Sequence, residues 1–370
     1  MKIPFTRTYF PSSIRNKINK DIDKILFSGM LMMGPFQKKL EKEFQTLSNT
    51  KYAVTINSAT TGLQIALRFA NCRGKEVLVP AASFLTDVSA VLMEGGIPVL
   101  VDCDEDTLSF DLKDLKKKIG PKTAAIIWVH LTGFISEEYL KIQKLAKKNS
   151  ILLIEDSSHS HGAEIDGIRA GNLGDCGVFS LYPTKILTSG SGGVLTTNNY
   201  RLAKYAKELR LFGKNEQTGE VIHLGNDWFL DEIRCCVAYH QVKNINLITK
   251  KRRKAASIYL NSISNFSFIK TYSPRAGHYP GWYQFPLLLN NEKLVNLSIN
   301  YMKKLGIECK RIYRPIVDEK IFKNYFCEKP PKAHSILQRS LCLPMMTDIS
   351  LQEISKVSNS LNDFLKSQKN

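Results

Sequence analysis

The sequence lacks a long hydrophobic run. Its most apolar stretches, TAAIIWVHL from Thr123 and ILLI from Ile151, are much shorter than the roughly 20 residues that cross a bilayer as a helix. The N-terminal residues MKIPFTRTYF also lack the apolar core of a secretory signal peptide. We therefore expect a protein that is not bound to a membrane and that works in the cytoplasm.

Cysteine and histidine are present but form no metal-binding pattern. No two of the eight cysteines stand in a CxxC motif, and the seven histidines lack the spacing of zinc ligands. We therefore expect no metal site and reduced, buried thiols. The cysteines are Cys72, Cys103, Cys176, Cys235, Cys236, Cys309, Cys327 and Cys342.

Acidic residues are fewer than basic ones, 34 against 52, which gives a net charge of +18. A charge of this size also fits a polyanion-binding protein. However, the lysines are spread along the chain, and the densest runs, LKDLKKKIG and TKKRRKAAS, are typical of solvated helix faces. No aromatic residues are clustered among these basic runs. We expect no nucleic-acid partner, since attraction of a phosphorylated small substrate fits the charge equally well.

The 370 residues, 43% of them hydrophobic, suit a globular protein of two domains. Up to GVFSLY, short apolar strands alternate with helical segments, which predicts an α/β fold with a mostly parallel central sheet flanked by helices. After about Lys250 the pattern changes to helices around the strand-like WYQFPLLL, which indicates a smaller α+β domain. We predict a large domain over residues 1–248 and a small C-terminal domain over residues 249–370.

An acid and a lysine follow two of the predicted strands. Asp156 comes directly after the apolar run ILLI, and Lys185 lies 29 residues later, just beyond GVFSLY. Ligands of open α/β sheets bind at the carboxyl ends of the parallel strands, so both side chains are expected in one crevice. This pair suits pyridoxal phosphate, because a lysine amine forms an imine with its aldehyde and a carboxylate keeps its ring nitrogen protonated.

Other residues could bind the remaining parts of this cofactor. Ala59 and Thr60 stand at a predicted helix start, where free N–H groups favour a phosphate, and Ser180 offers a hydroxyl. Phe84 follows the strand EVLVP and could place its ring against the pyridine. Taken singly, each residue has an ordinary interpretation: a helix cap, a core aromatic, or for Lys185 a solvated loop lysine. Their joint order and spacing favour the site.

At these residues the sequence resembles the DegT/StrS family of sugar aminotransferases, pyridoxal-phosphate enzymes with the aspartate aminotransferase fold. The resemblance runs from about Gly29 to the C-terminus. The motifs that carry it are NSATTGLQIAL, VPAASFLTDVSAVLMEGGIPVLVDCDEDT, VHLTG, IEDSSHSHGAE, GVFSLYPTKILTSGSGGVLTTNN and LCLPMMTDISLQEI.

The resemblance implies a role for each candidate. Lys185 would hold the cofactor and later move a proton between substrate and cofactor, while Asp156 would pair with the ring nitrogen. His159, where many members have Gln, would approach the phenolic oxygen. Phe84 would stack on the ring. The phosphate would be held by Ala59, Thr60 and Ser180.

The sequence departs from the family pattern at several positions. In NDWFLDEIRCC, Asp227 stands where an Asn commonly reaches the phosphate bound by the partner subunit, and Asn226 takes that role only if the register slips by one. Phe229 stands where an Arg is usual, and Ser191 replaces the acid of GEGG. Arg314, in YRPI, stands where a histidine is often near the substrate, and it is either a substrate ligand or a surface arginine.

The function implied by the resemblance is transfer of an amino group from an amino acid, with L-glutamate the usual donor, to a keto-sugar, often nucleotide-linked. The product would enter a surface glycan or secondary metabolite. The family forms homodimers with shared active sites. Alternatives within the family are a keto-cyclitol or aminobenzoate-type acceptor and a sugar dehydratase, against which Lys185 argues. A non-catalytic sensor or assembly protein is the alternative from another class.

Overall fold

The computed structural model describes residues 2–263, 266–326 and 328–368. Within these ranges the chain forms helices α1 to α12 and strands β1 to β13. The helices are α1 (Ser12–Ser28), α2 (Pro35–Ser48), α3 (Ala59–Phe69), α4 (Leu85–Met93), α5 (Leu112–Lys118), α6 (Tyr139–Lys148), α7 (Tyr200–Arg210), α8 (Glu232–Val242), α9 (Ile245–Ser262), α10 (Glu292–Lys304), α11 (Pro331–Arg339) and α12 (Leu351–Ser367). The strands are β1 (Tyr52–Ile56), β2 (Glu76–Pro80), β3 (Ile97–Val101), β4 (Thr123–Val129), β5 (Leu152–Asp156), β6 (Glu164–Ile165), β7 (Ile168–Arg169), β8 (Cys176–Ser180), β9 (Gly193–Thr197), β10 (Ile269–Thr271), β11 (His278–Tyr279), β12 (Phe285–Leu289) and β13 (Ser340–Leu343).

A seven-stranded sheet forms the centre of the molecule, in the order β1-β9-β8-β5-β4-β2-β3. Neighbouring strands from β3 to β8 are parallel, whereas β9 runs antiparallel to both β1 and β8. The α/β fold with a mostly parallel sheet is therefore confirmed.

Both faces of this sheet are buried. In β4, Ile127 and Val129 pack into one hydrophobic core, while Ile126 and Trp128 pack into a second core on the opposite face. This alternation follows from the two-residue repeat of a strand, and it explains why the strands read as continuous apolar runs. The helices that alternate with the strands supply the other side of each core.

A smaller antiparallel sheet, in the order β10-β12-β13, lies in the C-terminal part of the chain. The N-terminal segment joins this region, because the N–H of Ile3 donates to the carbonyl of Gly306 at 2.8 Å. The predicted boundary between residues 248 and 249 falls inside the continuous helix α9. The division into two domains stays a prediction.

Among the described residues, no helix combines the length and apolar character needed to span a membrane.

Candidate active site

The predicted site residues lie at the carboxyl edge of the central sheet. Asp156 is the last residue of β5, and Ser180 is the last residue of β8. Lys185 follows β8 in the loop that leads to β9, while α3 and α4 start just beyond β1 and β2. Because β5 and β8 are parallel neighbours, their carboxyl ends lie side by side, and Lys185 is close enough to Asp156 for that carboxylate to act on its pKa. We call this end of the two strands the crevice.

Asp156 presents a nearly buried carboxylate, with 7% of the residue exposed. Its Oδ1 accepts a hydrogen bond of 2.9 Å from the N–H of Ser158. The chain on either side is fixed by the sheet, since Val129 and Val178 pair with Asp156 in β4 and β8. The carboxylate is therefore held in one place before any ligand binds.

Lys185 places its amine beside Tyr283. Its Nζ lies 4.7 Å from the centre of the Tyr283 ring, and the Tyr283 hydroxyl makes a 2.9 Å hydrogen bond with Oγ1 of Thr184. Burial lowers the pKa of Lys185 to about 8, although the carboxylates of Asp156 and Asp87 act in the opposite direction. A lowered pKa increases the fraction of neutral, nucleophilic amine near pH 7.

His159 is buried and makes contacts on both ring nitrogens. Nδ1 accepts a hydrogen bond of 3.2 Å from the N–H of Thr132, and Nε2 lies 2.6 Å from the hydroxyl of Tyr313. The ring stacks on Tyr283 with centroids 4.1 Å apart. Burial, followed by the charge of Lys185, holds the pKa of His159 well below its usual range. The neutral ring therefore carries its proton on Nε2, because Nδ1 acts as an acceptor.

The backbone donor to His159 is held in a strained conformation. Thr132 has φ of 58° and ψ of 0°, a left-handed conformation that a β-branched residue adopts at a cost of about 1–3 kcal/mol. The following residue, Gly133, has φ of 102°. This turn directs the Thr132 N–H toward Nδ1, and so it fixes the tautomer of His159.

Gly193 lies between the proposed phosphate ligands and lets them come close together. Ser58 caps α3 by accepting a hydrogen bond from the N–H of Thr61, so that Ala59 and Thr60 form its first turn. Ser180 pairs with Gly193 in the sheet. A Cβ on Gly193 would lie 2.7 Å from the nitrogen of Ala59, so only glycine lets the helix start approach the end of β8.

Phe84 lies at the rim of the crevice, with 41% of the residue exposed. It directly precedes α4, and its ring centroid is 5.2 Å from that of Tyr313. The ring therefore contacts Tyr313, which also contacts His159, while the residue keeps exposed surface with which a planar ligand could stack.

The structure does not bring the two tentative substrate residues into this cluster. The Arg314 side chain is 65% exposed, donates to the carbonyl of Asp318 at 2.9 Å and lies 3.8 Å from Glu319. Asn226 is exposed, and its side chain accepts a hydrogen bond from the N–H of Asp227. Substrate contacts of Arg314 and Asn226 stay predictions.

The structure adds residues that the motifs did not reveal. Tyr283 and Tyr313 come from the C-terminal part of the chain, more than 120 residues after His159, so no local pattern connects them with it. Asp87 is buried against Asp156 and Lys185. In the sequence, only its position three residues after Phe84 places Asp87 near the site. An acid in the first turn of a helix is common, so this position alone does not indicate a function.

These residues fit pyridoxal phosphate by their chemistry. The crevice contains an amine, a fixed carboxylate, an aromatic face and a helix start that glycine leaves open to an anion. The buried oxygens of Asp87 also lack hydrogen-bond partners among the described residues.

Comparisons with known proteins support the same conclusion. A 31% identical relative over 95% of this chain and 94% of its own is the UDP-N-acetyl-3-dehydro-alpha-D-glucosamine 3-aminotransferase of Acidithiobacillus ferrooxidans. The GDP-perosamine synthase of Escherichia coli O157:H7 is 26% identical over 98% of both chains. The crystal structure of DesV from S. venezuelae, in complex with a ketimine intermediate, superposes with a TM-score of 0.92 at 26% identity and 98% coverage of both chains.

The profile of the DegT/DnrJ/EryC1/StrS aminotransferase family matches residues 12–362, which is nearly the whole chain. Members of this family are pyridoxal-phosphate-dependent aminotransferases. Together with the lysine, acid and helix start at the sheet edge, this match identifies the protein as an enzyme of the transaminase type and shows that the chain belongs to the DegT/DnrJ/EryC1/StrS aminotransferase family.

Proposed function

We propose that this enzyme binds pyridoxal 5′-phosphate in the crevice at the carboxyl ends of β5 and β8. It transfers an amino group from L-glutamate to a nucleotide-linked keto-sugar. The product is an amino sugar for a surface glycan or secondary metabolite. The observation that carries the proposal is the meeting of Lys185 and Asp156. The carboxylate of Asp156 acts on the Lys185 amine strongly enough to oppose the effect of burial on its pKa.

When bound, pyridoxal phosphate supplies an aldehyde that condenses with amines and a ring that withdraws electrons from the carbon attached to the amine nitrogen. Lys185 supplies the amine that holds this aldehyde. Once displaced by a donor amino acid, the Lys185 Nζ would be free to move a proton between the substrate carbon and the cofactor. Asp156 holds a proton at the ring nitrogen by its negative charge.

The remaining contacts orient the cofactor. His159 would donate from Nε2, the nitrogen that contacts Tyr313 in the structure, to the phenolic oxygen of the cofactor. Phe84 would cover one face of the cofactor ring. The phosphate binds at Ala59 and Thr60, where the N–H groups of the first helical turn are available, and at the hydroxyl of Ser180.

The choice of acceptor rests on two similar proteins and on charge. Both curated relatives described above are named for nucleotide-sugar substrates or products, and together they match almost the whole length of this chain. The net charge of +18 favours encounter with a substrate that carries a diphosphate.

We also infer that the enzyme is a homodimer in which the two subunits share their active sites. An apolar segment that covers the end of α1 and the loop before α2 is exposed in the single chain, and Phe27 is 95% exposed. Such a contiguous patch is typical of a surface that another protein covers. The large exposed residues of the segment are Leu26, Phe27, Met30, Leu31, Met32 and Met33.

The experiment that tests the function is visible absorption of the purified protein with pyridoxal phosphate, before and after L-glutamate is added. We expect a band from the lysine-bound cofactor that disappears as the pyridoxamine form appears, and keto-sugar should reverse the change. Lys185→Ala should fold but form no such band. A Lys185→Ala protein that still transaminates would refute the role of the lysine, and a wild-type band that ignores glutamate would refute the donor.

The dimer is tested by light scattering. Phe27→Asp should shift the mass toward one chain and weaken cofactor binding, because a charge replaces exposed apolar surface at the contact. Leu140→Asp on α6, a residue 62% exposed, is the matched control and should leave the mass at two chains. A wild-type protein with the mass of a single chain would contradict the proposal.

A further inference from the structure

Asp87 is a fully buried acid whose carboxylate makes no ion pair or hydrogen bond with a described residue. It lies in the first turn of α4, and its exposure is 0%. Among the described residues, neither of its carboxylate oxygens has a well-aligned hydrogen-bond partner. A buried carboxylate in this state would lose the hydrogen bonds of water without replacement, which is costly. A protonated carboxyl needs only one acceptor.

An acceptor is close by. The side chains of Asp156, at the end of β5, and of Ser83, on the chain before α4, both act on the Asp87 carboxyl group, while no described residue gives either Asp87 oxygen a hydrogen bond. Asp156 already receives the N–H of Ser158 on one oxygen. Two carboxyl groups this close, with no donor between them, can be satisfied together by a single proton.

The other charged or titratable groups that act on Asp87 come from separate elements. Lys185, in the loop after β8, lowers the pKa of Asp87, but burial and the charge of Asp156 raise it well above its usual range. Tyr313 faces the same pair from the C-terminal part of the chain, and burial raises the pKa of its phenol, so it stays neutral. The balance therefore favours a protonated Asp87.

We propose that Asp87 and Asp156 form a carboxyl pair that holds one shared proton while the crevice is empty and releases it when a protonated pyridine ring binds against Asp156. The proton would pass from the Asp87 oxygen to solvent water as the positive ring binds, and the two carboxylates would then face the charge of the pyridinium. Asp87 is a positioning residue in this scheme: it sets the charge of Asp156 and does not itself react with substrate.

This inference rests on the proposed cofactor, but its first test needs no cofactor. Infrared spectra of the empty protein near neutral pH should contain the carbonyl band of a protonated carboxylic acid that shifts in D₂O. Asp87→Asn should remove this band, and Asp87→Ser is the second variant if the first does not fold. Asp23→Asn, which changes an exposed acid on α1, should retain it. If the band is missing from the wild type or persists in both Asp87 variants, the shared proton does not exist.

The second test measures the release of the proton. The affinity for pyridoxal phosphate is measured across pH for the wild type and Asp87→Asn, and their ratio removes the titrations that both proteins share. We expect the ratio of wild-type to Asp87→Asn affinity to rise with pH by up to about tenfold per pH unit, over the range in which the empty pair holds its proton and the cofactor-bound pair does not. A flat ratio would overturn the proposal even if both proteins bind the cofactor. If the wild type shows no lysine-bound band at all, the proposed function itself fails, so the two failures are distinguishable.

Discussion

Lys185 should react with pyridoxal phosphate at a pH far below that at which an ordinary lysine amine loses its proton. Burial lowers its pKa from 10.5 to about 8. At pH 7 an amine with that lower pKa is neutral in roughly one molecule in ten, against roughly one in three thousand for an unperturbed lysine. The structure therefore makes the reactive form a few hundred times more abundant, which corresponds to about 3 kcal/mol.

The assay is stopped-flow absorbance after the empty protein is mixed with pyridoxal phosphate over a range of pH. A free lysine derivative serves as the reference for titrations of the cofactor itself. We expect the rate of band formation to reach half of its maximum near pH 8. Asp156→Asn should move this midpoint to lower pH, because it removes a carboxylate that stabilises the charged amine.

The control for this shift is Asp23→Asn, which removes an acid from the exposed face of α1 and should leave the midpoint unchanged. A wild-type midpoint near that of the free lysine derivative would refute the effect of burial. A midpoint that rises in Asp156→Asn would refute the assigned effect of the carboxylate on Lys185.

Three further predictions concern the same crevice. Gly193→Ala should weaken cofactor binding at least tenfold in a titration, because its Cβ would clash with the start of α3, whereas Gly120→Ala has open space and should match the wild type; equal affinities would contradict the close approach. Tyr313→Phe should lower the free energy of unfolding by about 1–2 kcal/mol in urea, since His159 Nε2 loses its partner, and no change would contradict that hydrogen bond. The wild type should gain stability between about pH 8 and pH 10.5, where the unfolded state binds more protons at Lys185 than the folded state; Lys185→Met should lack this rise, and an equal rise in both proteins would refute the lowered pKa.

Much of the site could be predicted because its main groups follow strands. Asp156 and Lys185 stand directly after two apolar segments, and parallel strands end at one edge of a sheet. The start of α3 was also visible, since Ser58 precedes an amphipathic segment, and it does cap the helix. These are local signals, and local signals are sufficient where the topology brings strand ends together.

The rest of the site depends on tertiary packing. Tyr283 stacks on His159 across more than 120 residues of sequence, and nothing in WYQFPLLL distinguishes this ring from a core aromatic. The direction of Arg314 was equally hidden, because its partners, the Asp318 carbonyl and the Glu319 carboxylate, are set by the turn that follows it. The predicted alternation of strands and helices ends at GVFSLY and so does not include β9. Its antiparallel direction was hidden as well, since alternation alone does not give strand direction.

The location of these two tyrosines has a further consequence for how the enzyme is assembled. Residues 1–248 contain the lysine, the acid and the helix start. From beyond that range, Tyr283 stacks on the His159 ring and the Tyr313 hydroxyl contacts its Nε2. Tyr283 also lies beside the Lys185 amine, and burial is the largest cause of the lowered pKa there. Since the C-terminal part supplies some of that burial, a chain without it would keep the reactive groups but expose them to water. The pKa of the Lys185 amine would then lie closer to that of an ordinary lysine, and His159 would lose its contacts with Tyr283 and Tyr313. The reactivity of the site is thus a property of the packed chain and not of its motifs alone.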